Sequence, residues 1–212
     1  MELNRSKNEV RVVLVIDDII VIDDAIPKSY QDEVYNMMFN QGNFPWYYVH
    51  DVTFVQEKIE KAQMKKSNPA LCHVFYSYEM EHTSPFLNFI KPLAYMACAK
   101  INKDVLEIIT ARSFLQLPSG TDILEPNHPH VDLDFSHLVC LYYVNDNEAP
   151  TNIYKQTSNE IKLRDIATTK FEIDQKVYPK KGRCVFFNGN RYHSSSSPNM
   201  SSRCIINFDI GI

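Results

Sequence analysis

The sequence predicts an α+β domain in which early helices pack on an antiparallel β-sandwich or barrel. Three observations lead there. Two stretches in the first half carry apolar residues at helical spacing. From Val105 onward the chain breaks into short β-rich segments separated by turn residues. Helices gathered early and many short strands gathered late point to this class. A chain of 212 residues can bury one substantial core, so a single domain is expected, with 1–105 as N-terminal strands and supporting helices and 106–212 as the β core.

Val10–Ile22 (VRVVLVIDDIIVI) is β-branched and interrupted by Asp17-Asp18, which reads as strand, turn or bulge, strand, closed by Asp23-Asp24. Pro27 opens a helix over Lys28–Phe39, on which Val34, Met37 and Met38 fall near helical spacing, and Asn40-Gln41-Gly42 stops it. Phe44–Phe54 is aromatic-rich and strand-like, and its Trp46, Tyr47 and Tyr48 read as core residues rather than a ligand pocket. The polar run Gln56–Asn68 reads as a loop or short surface helix, and Leu71–Met80 as a strand. Ser84 as N-cap and Pro85 at the first helical position begin a second helix. It runs to about Lys100, with Phe86, Phe89, Ile90, Leu93, Met96 and Ala97 on one face and Pro92 as the place for a kink. The later β segments are Glu107–Leu117, His137–Val144, Asn152–Tyr154, Arg183–Phe187 and Arg203–Ile210.

Composition narrows the function classes. Hydrophobic residues make up 44% and charged residues 23%, which is ordinary for a globular chain. A formal charge of −4 gives no general reason to bind nucleic acid or an anionic membrane. Met1–Lys7 is polar, with no apolar h-region behind a basic stretch and no run long enough to span a bilayer, so neither a signal peptide nor a membrane span is expected. Cys72, Cys98, Cys140, Cys184 and Cys204 are odd in number and lack paired spacing. They read as reduced, mostly buried thiols of a cytoplasmic protein rather than as a zinc site or disulfide scaffold.

The chemistry sits in the second half. His130-Val131-Asp132 sets an imidazole and a carboxylate two residues apart, on the same side of an extended segment, so both can grip one ion. His193, after the apolar segment Arg183–Phe187, supplies a third ligand. Two histidines and one carboxylate on one face of an octahedron leave three positions open, the ligand set of non-haem Fe(II) oxygenases. Arg203 follows His193 by ten residues (203 − 193), across a turn formed by Ser194–Ser197, Pro198 and Asn199. Its planar guanidinium suits the tail of a dicarboxylate. Strand alternation puts Arg203, Ile205, Asn207 and Asp209 on one face and Cys204, Ile206, Phe208 and Ile210 on the other. An H-x-D by itself is common, whereas the ordered set of H-x-D, β segment, His and Arg is rare, so the set is read as functional. By contrast, His128 reads as a loop residue, Asp134 and His137 as loop or substrate-rim residues, and Arg191 as an exposed turn arginine. Phe186 and Phe187 should face opposite sides of their strand.

Three segments carry a family resemblance: HVDLDFSHLVCLYYVND (His130–Asp146), GRCVFFNGNRYHSSSSP (Gly182–Pro198) and SRCIINFDI (Ser202–Ile210). They resemble the Fe(II)/2-oxoglutarate-dependent dioxygenase superfamily, in particular its prolyl-4-hydroxylase-like branch with bacterial and phage-encoded members. The match spans Glu107–Ile212, and the opening IIVIDDAIPKSYQDEVYNMMF is similar less specifically. The resemblance implies a double-stranded β-helix (jelly-roll, cupin-like) core in which 106–212 is the catalytic part. It implies Fe(II) on His130, Asp132 and His193, with acceptors elsewhere holding the free nitrogens of both histidines. It further implies 2-oxoglutarate on Arg203, with Tyr143 and Asn207 as additional contacts, O2 as co-substrate and ascorbate as an optional reductant. Leu117-Pro118-Ser119-Gly120 stands where the branch often has a tyrosine, leaving Gln116 or Arg112 as substitutes, and Ile205 stands where some members have serine. The implied activity is hydroxylation of a peptidyl, prolyl side chain of a protein or peptide in the cytoplasm (the host cytoplasm for a phage-encoded member), with release of succinate and CO2. Other readings are an oxygenase of a small molecule or nucleobase, a non-catalytic cupin-like binding module, and a zinc protein using the same ligands. The acidic net charge counts against nucleic acid.

Overall fold

A computed structural model describes residues 16, 18–53, 67–120, 125–161 and 163–212. Its elements are β1 (Ile20–Ile22), α1 (Lys28–Phe39), β2 (Tyr47–Val49), β3 (Ala70–Ser77), β4 (His82–Thr83), α2 (Leu87–Ala99), β5 (Glu107–Gln116), β6 (Leu138–Tyr143), β7 (Thr151–Thr157), a 3-10 turn (Leu163–Thr168), β8 (Ile173–Val177), β9 (Cys184–Asn188), β10 (Arg191–Ser195) and β11 (Arg203–Gly211). The first strand expected within Val10–Ile22, and most of the polar run after Gln56, lie outside the described residues.

The strands form two antiparallel sheets. The larger has the order β1-β9-β6-β11-β5-β3-β2, with β4 added to β3, and the smaller has the order β10-β7-β8. Because side chains alternate across a strand, β11 feeds two cores at once. Its Cys204, Ile206, Phe208 and Ile210 join Phe75, Cys140 and Phe186 on the outer face, where Val34, Met37 and Met38 of α1 and Ile90, Leu93 and Ala97 of α2 cover them. On the inner face Ile205 packs with Phe114, Leu141, Tyr143 and Phe187, against Ile153 and Val177 of the smaller sheet. Phe186 and Phe187 therefore divide between the two cores, as alternation requires. All five cysteines are buried and unpaired. No helix among the described residues is long and apolar enough to cross a membrane.

Three differences from the sequence reading bear on the site. Ser84 does cap a turn, accepting from the Phe86 amide at 3.2 Å, but the helix begins at Leu87 and continues through Pro92. Tyr47 and Tyr48, read as core, are exposed on the short β2 at one end of the larger sheet. Most important, Ser194 and Ser195 are not turn residues: with His193 they form β10, which pairs with β7. β8 and β10 were not legible as strands, because IDQKV and RYHSS show little apolar alternation and are held by pairing with β7.

Candidate active site

The site lies on the inner face, where the two sheets meet. His130 sits at the end of an irregular segment that is stitched to β10. His130 and His193 exchange both backbone hydrogen bonds, each 3.0 Å, and their rings lie 4.5 Å apart. Asp132 follows two residues later, so the donor atoms of His130, Asp132 and His193 all fall within 4.8 Å of one another. The acceptors expected behind the imidazoles are backbone carbonyls. His130 Nδ1 meets the His128 carbonyl at 3.0 Å, and His193 Nδ1 meets the Arg191 carbonyl at 3.2 Å. With Nδ1 placed against a carbonyl, Nε2 is the nitrogen each ring turns to the shared centre: a lone pair on neutral His130, and on His193 a position where the Asp132 carboxylate favours a proton that a metal would displace. His193 Nε2 already lies 3.3 Å from Asp132 Oδ2, an ion pair that a metal would replace. Phe187 packs edge-on against the His193 ring at 5.0 Å and fixes its plane.

Electrostatics favour ligation. Burial and the adjacent His193 push the His130 imidazole down to about 4, so it is neutral at pH 7 and available to a metal. Burial acts to raise Asp132, but the Arg112 charge and the His193 contact outweigh it and hold the carboxylate well below its ordinary range. His193, neutral His130 and ionised Asp132 make a donor set that fits Fe(II) or a similar divalent ion.

Arg203 lies in the same cavity, whose lining includes His130, Asp132, Leu141, Thr151, His193, Ile205 and Asn207. It is 1% exposed. Its Nε donates to the Ala149 carbonyl at 3.1 Å, Nη1 to Gln116 Oε1 at 2.9 Å and Nη2 to Thr151 Oγ1 at 2.7 Å. Every partner is neutral. No carboxylate among the described residues pairs with this buried cation, and burial pushes its pKa down. An unpaired buried guanidinium is costly, and a bound anion relieves the cost.

The structure re-sorts the other candidates. Tyr143 is fully buried behind Thr151, and its hydroxyl donates to Thr151 Oγ1 at 2.8 Å and approaches the Val177 carbonyl at 3.2 Å. The hydroxyl that lines the cavity beside Arg203 belongs instead to Thr151, which accepts from both Arg203 and Tyr143 and so has its own hydrogen left to donate. Thr151 was missed because it begins a strand with no motif around it. Asn207 shares the Arg203 face, as alternation requires, but its Nδ2 lies 3.2 Å from Asp132 Oδ2 rather than beside the guanidinium. Gln116 touches Arg203 while Arg112 touches Asp132, which resolves the two substitutes left open above.

His137 is not a rim residue: it is completely buried, with Nδ1 2.7 Å from the Phe135 carbonyl and Nε2 3.7 Å from Asp209 Oδ1. Gly189 makes room for it, since a Cβ there would sit 2.2 Å from the imidazole. Arg191 is half-buried at the start of β10 and paired with Asp174 at 2.6 Å.

No family model and no curated protein matches the sequence. Solved structures match by shape. A Pseudomonas putida prolyl-4-hydroxylase is similar with a TM-score of 0.53 and 10% identity, over 92% of each chain. A prolyl hydroxylase from Trichoplax adhaerens, solved in complex with a hypoxia inducible factor oxygen degradation domain peptide, gives 0.58 and 14% over 91% of this chain and 83% of that one. A non-haem alpha ketoglutarate-dependent epimerase from nogalamycin biosynthesis gives 0.60 and 11% over 92% and 78%. The chain thus has the double-stranded β-helix fold that these proteins share.

Proposed function

We propose that this protein is an Fe(II)- and 2-oxoglutarate-dependent oxygenase that hydroxylates a peptidyl side chain, prolyl in the first instance, within one domain spanning 1–212. The observation that carries the reading is Arg203, a buried cation without a carboxylate partner among the described residues, in one cavity with the His130, Asp132 and His193 donors. A ligand that satisfies both must put an anionic tail on the arginine and a chelating head on the metal, and 2-oxoglutarate has that shape. With O2, the iron–keto-acid pair supplies oxidative decarboxylation to succinate and CO2 coupled to hydroxylation of a C–H bond.

The protein's own part is placement. His130, Asp132 and His193 hold the metal, and their second nitrogens are fixed by the His128 and Arg191 carbonyls. Arg203 and Thr151 hold the far carboxylate, with Tyr143 and Gln116 aligning them from behind. Phe114, Leu141 and Ile205 line the space between with apolar surface and exclude water from it. A peptide substrate is supported by a fold neighbour that was solved with a peptide bound. Five buried free thiols suit a reducing compartment such as the cytoplasm.

The test is an anaerobic titration of metal-free protein with Fe(II) and then 2-oxoglutarate, followed by the visible charge-transfer band of the chelate. The band should appear in wild type and be lost in Arg203→Ala. Failure of wild type to bind the two together would overturn the catalytic reading in favour of a binding module on the same scaffold. With the band in hand, succinate release stimulated by proline-containing peptides supports the peptidyl substrate. Stimulation by small molecules alone overturns it.

A further inference from the structure

The inner face of β5 holds a second arginine, Arg112, whose charge reaches the metal-site carboxylate. Arg112 stands opposite Asn207 in the β5–β11 register, and Thr110 stands opposite Asp209. Arg112 Nη2 donates to Asp132 Oδ1 at 2.8 Å and to Asp209 Oδ2 at 3.0 Å. Asp209 is completely buried and also receives the Thr110 hydroxyl. A guanidinium is therefore clamped between the metal-site carboxylate and a carboxylate that cannot leave the core.

We propose, on the basis of the oxygenase reading above, that Arg112 is a positioning residue that limits Asp132 to one metal-binding oxygen. Oδ1 accepts from Arg112, while Oδ2, which accepts from Asn207 Nδ2 at 3.2 Å and lies 3.3 Å from His193 Nε2, faces the shared centre and would be the donor toward the metal. A carboxylate with both oxygens free can chelate through both and fill a position that the keto-acid or O2 requires. Arg112 opposes this because the β5–β11 register holds its guanidinium beside the buried Asp209, and the same Nη2 occupies Asp132 Oδ1. Its charge also draws electron density from Asp132 and repels a dication. Arg112 thus weakens the hold on the metal while it keeps the metal's remaining face open for the keto-acid.

That pairing gives a signature that loss of structure would not produce. Wild type, Arg112→Gln and Arg112→Lys are titrated anaerobically with Mn(II), read by EPR, and with Fe(II) plus 2-oxoglutarate, read by the charge-transfer band. Arg112→Gln should hold Mn(II) as tightly as wild type or more tightly. Its 2-oxoglutarate affinity should fall by roughly 10–100-fold, the size of effect that outer partners of a metal site usually have on metal affinity or activity, here shifted onto the keto-acid, and the band should move in energy. Arg112→Lys, which keeps the charge but not the planar fork, should fall between. A parallel loss of both affinities with the band unmoved, or no change in either, would overturn the proposal. If Arg112→Gln does not fold, Asp209→Asn, which releases the second anchor, should shift 2-oxoglutarate affinity in the same direction, and an unchanged affinity there would also overturn it. Absence of joint binding in wild type would instead sink the oxygenase reading itself, and this inference with it.

Discussion

Arg203 and Arg112 line one cavity and project from one strand pair, yet their surroundings are opposite. Arg203, across from Gln116, meets only neutral acceptors. Arg112, across from Asn207, is held by two carboxylates. A buried cation left unpaired is a charge awaiting a ligand, whereas one that is doubly paired is part of the frame. Under the proposed function, this difference assigns the co-substrate tail to one end of the cavity and the metal to the other.

The comparison can be broken or sharpened experimentally, and the largest effect concerns the metal end. His193→Ala removes a donor outright, so metal affinity should fall by more than the roughly 100-fold upper range for losing an outer partner, with the fold kept by circular dichroism. Near-normal metal binding would contradict the triad. At the other end, Arg203→Ala should cost 2-oxoglutarate binding about 2–5 kcal/mol, the range for truncating one partner of a buried charge pair, and leave Mn(II) affinity near wild type. Calorimetry showing equal losses would erase the distinction between the two ends. Thr151→Val should cost less, about 1.5–3 kcal/mol of 2-oxoglutarate binding, as expected for one hydrogen bond to a charged group. Tyr143→Phe should cost less again, about 0.5–1.5 kcal/mol, because its hydroxyl supports Thr151 and the Arg203 guanidinium from behind rather than lining the cavity. Tyr143→Phe proving worse than Thr151→Val would reverse their assigned order.

A pH series separates the metal end in another way. The His130 imidazole, ordinarily near 6.5, is held at about 4 in the folded protein. Between these values the unfolded chain binds the extra proton and the native one does not, so stability of the metal-free protein should rise with pH across that window. Urea melts that worsen on acidification from about 6.5 toward 4, and worsen more steeply with Mn(II) present because metal-bound imidazoles cannot take up the proton, would agree. A flat profile would not.

Much of the site was legible because its chemistry depends on spacing. His130 and Asp132 are two apart, and alternation along β11 places Arg203, Ile205 and Asn207 on the cavity wall. The helices Lys28–Phe39 and Leu87–Ala99 were legible because their apolar faces repeat. What escaped depends on tertiary pairing. β10 reads RYHSS and becomes a strand only beside β7, so the turn expected after His193 is in fact a strand that carries it. Thr151 and the Arg112–Asp209 clamp arise from registers between strands distant in sequence, which no local pattern reports. His137 looked like a loop residue because the room that Gly189 leaves for it is invisible in the sequence.

The double backbone link between His130 and His193 has a consequence for how the centre is filled. Two of the three donors are fastened to each other by peptide groups, independent of any ion, so the chain has no folding step to complete when an ion arrives. Loading should therefore run at the speed of diffusion and dehydration, and unloading should leave the scaffold intact. A stopped-flow trace of Mn(II) uptake should accordingly show one concentration-dependent phase, and repeated cycles of chelator and resupply should return the same protein each time.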